Sequence, residues 1–195
     1  MSLKELLSGA SPDPQAVAAC LDAMGLDEQV AACRGLSVRE VHKVWSMAES
    51  GPTIDLDFIV PADTPEGQPV IHFGVNTLPA SRNFEKRFVR APGRDDQLWG
   101  YNHQPLAFLT GPGYFVVGPP GTDGEDALFI DYRSVPDGLV AGWPPVRDNN
   151  GLIGRLVYGG MKDTMRRVSE RVSVGRAYLG AKDRKASFIL VRGDA

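Results

Sequence analysis

The residues best able to do chemistry cluster in Leu98-Trp99-Gly100-Tyr101-Asn102-His103. In a strand, alternate side chains share a face, so Trp99, Tyr101 and His103 point one way and Leu98, Gly100 and Asn102 the other. The same alternation groups His72, Gly74 and Asn76 opposite Ile71, Phe73 and Val75. An inward face of Trp, Tyr, His and Asn would offer apolar area with a few orienting donors, as a ligand cavity does. The competing account is a core whose Trp and Tyr satisfy their polar tips locally. Asp131 and Arg133 share a face with Phe129 and Val135. They form an internal ion pair if buried, orient a polar ligand end if they line a cavity, or lie on an exposed strand face.

Other chemistry finds less material. His42, His72 and His103 stand apart from one another and from the two cysteines, so no metal-ligand spacing emerges and no metal or cofactor is expected. Cys20 and Cys33 read as buried, reduced thiols. Val116-Val-Gly-Pro-Pro-Gly-Thr-Asp-Gly-Glu125 imitates a strand entering a phosphate-binding loop. It lacks the Lys and Ser/Thr that contact phosphate and magnesium, and its carboxylates would repel an anion, so it reads as a polar surface turn. No serine sits in a G-x-S-x-G elbow. No motif fixes a reaction, and whether the protein is an enzyme stays open.

The elements that must position these residues change character near residue 50. Ser2 with Glu5, and Ser37 with Glu40, are capping boxes, the second flanked by a Leu36–Val41 staple. Asp13-Pro14 starts a second helix that Gly25 would end, and Asp27 caps a third that ends at Gly35. A fourth runs to about Glu49, with Val38, Val41, Val44 and Trp45 at helical spacing. After Gly51-Pro52 the apolar period becomes two. Strands are expected over Thr53–Val60, Pro69–Leu78, Asn83–Arg90, Gln97–Gln104, Leu106–Thr110, Tyr114–Gly118, Ala127–Val135, Leu152–Tyr158 and Ser187–Arg192. Residues 161–179 fit a short amphipathic helix leading into a strand, or one long strand. The β-branched residues favour strand after Ser169.

These elements predict an α+β protein with an N-terminal helical subdomain over residues 1–50 and a mainly antiparallel β-barrel or half-barrel over residues 51–195. The helices would plug one end of the barrel or cover an open edge. The 195 residues, 43% hydrophobic and 23% charged, suit one such domain and hold no apolar run long enough for a membrane-spanning helix. The amino terminus lacks the pattern of a secretory signal, which points to the cytoplasm. Residues 151–195 hold ten Lys/Arg against four Asp/Glu. That excess either neutralises the acidic remainder within one fold or meets an acidic protein partner. With a pI near 5.6 and no nucleic-acid motif, a nucleic-acid partner is not expected.

Asp131-Tyr-Arg-Ser-Val-Pro-Asp-Gly-Leu-Val-Ala-Gly142, a strand, turn and apolar restart, and Lys185-Ala-Ser-Phe-Ile-Leu-Val-Arg192, an apolar closing strand ending in a base, resemble the lipocalin-like (calycin) barrels. The similarity spans about a fifth of the chain, and the Gly-x-Trp that opens many such barrels is missing. The resemblance implies reversible binding of a hydrophobic or aromatic molecule and transfers no catalytic residue. The leading expectation is therefore noncatalytic binding of a small, mostly apolar ligand by a monomer or homodimer. Trp99 and Tyr101 would stack on it, with His72, Asn76, His103, Asp131 and Arg133 lining the site. The alternatives are an isomerase or cyclase using His72 or His103 with Asp131, and an interaction module using the Arg166–Arg176 stretch.

Overall fold

The computed structural model describes residues 1–78, 82–103, 112–120, 127–138, 140–145 and 160–194. Four helices come first: α1 (Leu3–Ser8), α2 (Pro14–Asp22), α3 (Leu26–Arg34) and α4 (Val38–Met47), the last running into a 3-10 turn at Ala48–Ser50. Both capping boxes form with both of their hydrogen bonds, and Asp13 accepts from Gln15 N–H at 2.9 Å beside Pro14. The punctuation between α2 and α3 differs from expectation. Gly25 is the N-cap of α3, while Asp27 falls in its first turn, where a carboxylate suits the free N–H groups.

Among the described residues eight strands follow: β1 (Val70–Asn76), β2 (Asn83–Arg90), β3 (Leu98–His103), β4 (Tyr114–Val117), β5 (Leu128–Asp131), β6 (Met161–Arg167), β7 (Val172–Leu179) and β8 (Lys182–Arg192). Each pairs antiparallel with the next, and β8 returns to β1 through His72↔Arg192 to Asn76↔Phe188. The result is a closed meander barrel in which every described strand has a neighbour on both sides, the α+β architecture expected from the change of period. Residues 161–179 form neither a helix nor one long strand but the hairpin of β6 and β7, where the N–H groups of Val168 and Ser169 meet the Val172 carbonyl at 2.9 and 3.1 Å. Leu106–Thr110 and Leu152–Tyr158 lie outside the described residues.

Thr53–Val60 is not a strand. Asp55 accepts from Phe58 N–H at 2.7 Å and starts the single-turn helix α5 (Leu56–Ile59). A closed barrel offers no edge for a further strand, so the apolar residues of this segment find a different surface to cover. Ile54, Leu56, Phe58, Ile59 and Val60 join the core inside the barrel and plug the end formed by the start of β1 and the ends of β2 and β8. Side chains from those strand ends hold the plug's carbonyls. His72 lies against Ile59 O at 2.9 Å, Arg90 donates to Val60 O at 2.7 Å, and Arg192 donates to Phe58 O.

Period-two alternation sorts every strand into an inner and an outer face. The inner core takes Val70, Phe84, Phe88, Leu98, Phe115, Val117, Leu128, Ile130, Met165, Phe188 and Leu190 from around the barrel. On the outside, Val75, Val172, Val174, Ile189 and Val191 meet Val41, Val44 and Trp45 of α4 and residues of α1 to α3. The helices thus cover the outer face of β1, β7 and β8, and neither plug an end nor guard an edge. Lys43 donates to the Leu7 and Gly9 carbonyls at 2.9 and 2.7 Å, tying α4 to the end of α1.

Three inward glycines each face a cross-strand phenylalanine: Gly74↔Phe84, Gly100↔Phe115 and Gly175↔Phe188. Each ring leans over its glycine so closely that a Cβ would sit 2.6, 2.2 and 2.2 Å from it. At Gly100 a Cβ would also lie 2.7 Å from the Arg87 carbonyl oxygen, which is backbone and cannot swing aside. Gly100→Ala should therefore cost about 1–3 kcal/mol through forced repacking, read as a lowered urea midpoint with an unchanged m-value.

Candidate ligand site in the barrel

Opposite the α5 plug, the described residues leave a cavity of about 300 Å³ in the lumen. Its wall is formed by Leu78, Phe84, Met161, Ala177, Ala186 and Phe188, with Asn76 and Arg184 also lining it. Lys86, Asn102, Tyr132 and Asp163 line it as a buried polar group within the mostly apolar lumen, with Ser187 beside Phe188.

Backbone register builds this group. Lys86 on β2 and Asn102 on β3 are direct cross-strand partners, both on inward positions. Asp163 sits on β6, opposite Ile130, and Tyr132 follows the last residue of β5. In a ring of eight strands β2 and β6 are diametrically placed, so the long lysine stem carries its ammonium across the lumen to Asp163. Lys86 Nζ donates to Asn102 Oδ1 at 2.9 Å, to the Tyr132 hydroxyl, and to Asp163 Oδ2 at 3.3 Å. The Tyr132 hydroxyl donates to Asp163 Oδ2 at 3.1 Å, and Asn102 Nδ2 donates to Gly113 O at 3.3 Å. All three lysine donors have acceptors, as a buried cation requires.

The surroundings are aromatic as well as polar. Lys86 Nζ lies 5.0 Å from the ring centroids of Phe115, Tyr132 and Phe188, and 5.7 Å from that of Phe84. These are cation–π distances. Phe84, Phe115 and Phe188 are the three rings laid over glycines, so the absent Cβ atoms leave the rings against the wall and the axis open to the lysine. Burial drives the Lys86 amine below its ordinary range and the Asp163 carboxyl above its own, each partly offset by the partner's charge.

The sequence-predicted residues do not gather at one place. The alternation of β3 holds, but its inward face is Leu98, Gly100 and Asn102. Trp99 and Tyr101 lie outside, where Trp99 packs with Val89 and Ala91, and Tyr101 meets Trp143 at 4.8 Å between ring centroids. His103 is exposed at the end of β3. His72 points inward but is fully buried at the plugged end, edge-on to Phe88 at 4.8 Å, and burial brings it down to about 3. Asn76 lines the mouth and accepts from Leu78 N–H at 2.7 Å. Asp131 and Arg133 form a pair at 2.7 Å on the outer face, with Arg133 about half exposed. Of the groups in the enzyme alternative, His72 bonds Ile59, Asp131 bonds Arg133, and His103 is exposed beside Tyr101.

Two other expectations meet specific geometry. Cys33 is buried and its thiol is pushed up to about 12, whereas Cys20 is only half-buried; both are free. The arginines of the basic stretch are engaged within the chain. Arg166 donates to Trp45 O at 2.9 Å and stacks on that indole, Arg167 donates to Ser169 O, Arg171 pairs with Asp194, and Arg176 with Asp183. The phosphate-loop look-alike lies partly outside the described residues.

The sequence reading did not single out Lys86, Tyr132 or Asp163. A signal was present in the inward registers Phe84-Lys86-Phe88 and Met161-Asp163-Met165, where one charge interrupts an apolar series on each of two strands. No protein-family model, curated protein or solved structure matches the chain. The closed eight-stranded antiparallel barrel is compatible with a calycin-like architecture, and among the described residues no helix is long and apolar enough to cross a membrane.

Removing one member of the buried pair should be worse than removing both. Lys86→Met leaves Asp163 without its cation and should cost about 3–5 kcal/mol, whereas Lys86→Met with Asp163→Leu should recover most of that loss, as chemical denaturation would measure.

His72 makes stability depend on pH with a defined sign. Its folded value of about 3 lies below the unfolded value of about 6.5, so between those limits the unfolded chain binds a proton that the native state refuses. Its contribution is complete above pH 6.5 and falls on acidification by up to about 1.4 kcal/mol per unit. His72→Gln should flatten that part of a stability–pH curve.

Proposed function

We propose that this protein binds a small, mostly apolar ligand in the barrel cavity opposite the α5 plug, with a polar end of the ligand meeting the Lys86–Asn102–Tyr132–Asp163 group. One observation carries the reading: a satisfied, buried polar cluster faces a cavity in a mostly apolar lumen, the combination by which ligand sites gain both affinity and orientation. The plug at the other end supports it, because it leaves the cavity end as the side from which a ligand would enter. A volume of about 300 Å³ suits a molecule of one or two fused rings. This is the kind of ligand that the resemblance to lipocalin-like barrels implies. Of the residues expected from sequence, Asn76 belongs to this site, while the Trp99–Tyr101 face belongs to a separate outer cluster with Trp143.

The test uses 2-naphthalenemethanol, an aromatic body with one hydroxyl, titrated by calorimetry, beside native mass spectrometry of the purified protein for any retained ligand. Ala186→Trp, which fills the mouth, should weaken binding by about tenfold or more, equivalent to about 1.4 kcal/mol. Trp99→Ala with Tyr101→Ala, on the outer face, should leave the affinity within about twofold if the double variant keeps its circular-dichroism spectrum. Unchanged affinity in Ala186→Trp, or loss only in the outer-face variant, would overturn this site.

A further inference from the structure

The cavity's polar group contains more than hydrogen-bonding capacity. Lys86 Nζ is a buried primary amine at the wall of a mostly apolar pocket, with a phenol and a carboxyl group within hydrogen-bond reach. We propose that Lys86 captures a carbonyl compound, an aromatic aldehyde or ketone, as a reversible imine within the barrel. This rests on the ligand-binding reading above and names its ligand class.

The step balances without oxidant or reductant. The lone pair of the neutral Lys86 amine adds to the carbonyl carbon, and the C=O π pair moves onto oxygen, which takes a proton from the Tyr132 hydroxyl or from Asp163 in its acid form. The nitrogen of the resulting carbinolamine returns a proton to that group. The nitrogen lone pair then expels the hydroxyl, protonated in the same way, as water. One C=N bond replaces one C=O bond, and water is released into the cavity.

The surroundings fit each stage. Burial favours the uncharged amine that must attack and the protonated carboxyl that must donate. The iminium that forms keeps its positive charge near the place the ammonium occupied. There it faces the same three rings that lie 5.0 Å from Nζ, with Asp163 as its counterion. The apolar wall of Phe84, Met161 and Phe188 takes the rest of the molecule. Lys4, Lys43, Lys162, Lys182 and Lys185 are exposed or half-buried, so the chain carries its own internal controls.

The experiment treats the full-length protein at neutral pH with 2-naphthaldehyde and sodium cyanoborohydride, which reduces an imine to a stable amine, and maps the adduct by peptide mass spectrometry. The expected result is one naphthylmethyl group on Lys86, formed about tenfold or more faster than on any other lysine, and slowed by excess 2-naphthalenemethanol, which has the same rings but no carbonyl. Lys86→Met should lose that adduct; because this variant is expected to be destabilised, the decisive reading is the distribution of label in the wild-type chain. Label confined to the other lysines, or spread evenly, overturns imine capture. If the alcohol still binds by calorimetry in that case, ligand binding stands without the imine; if the alcohol gives no heat either, both fail for this class of ligand.

Discussion

A lysine held inside a closed barrel is the constraint around which the rest of the structure is arranged. Moving an ammonium and a carboxylate out of water costs several kcal/mol each, and their attraction offsets this only where geometry and further hydrogen bonds are good. Here the lysine crosses from β2 to Asp163 on β6, and every donor it has is accepted. An apolar pair of similar size would be as stable or more so. The polar group therefore contributes little net stability, and its value lies in placing charge, a phenol and an amine at a defined point on the cavity wall.

The aromatic cage and the glycines are one device. A phenylalanine on every inward position would fill a barrel of this size to the axis. Laying Phe84, Phe115 and Phe188 over Gly74, Gly100 and Gly175 thins the wall at three points, and the same rings present their faces to the lysine. The two ends of the barrel are then unequal. One is sealed by α5, whose carbonyls are held by Arg90 and Arg192, and the other carries the cavity. On the outside, the four N-terminal helices cover β1, β7 and β8, and Trp143 and Val140 cover part of β2, β3 and β4. The basic residues of the C-terminal stretch serve this packing by bonding helix carbonyls and neighbouring carboxylates.

Much of this was legible because its causes are local. Capping boxes at Ser2 and Ser37 act over three residues, and they form as read. Period-two runs at Val70–Asn76 and Asn83–Arg90 became strands because alternating burial is what a barrel wall demands. The failures have equally physical causes. Ile54, Leu56, Phe58 and Val60 alternate as a strand should, but closure of the barrel left them no partner, and Asp55 could cap a turn instead. Alternation puts Trp99 and Tyr101 on one shared face, and the fold turns that face outward, since alternation separates two faces without saying which of them is enclosed.

The amino-acid sequence by itself determined the change from helix to strand near residue 50, the mainly antiparallel character of the sheet and the grouping of side chains by face. Each follows from spacing along the chain. Tertiary structure alone decided which face became the interior, because that depends on which way the sheet curls and on where the helices dock. It also decided the site. Lys86 and Asp163 are 77 residues apart, and only closure of β1 on β8, which sets β2 across from β6, brings an isolated charge in one apolar register to the isolated charge in another.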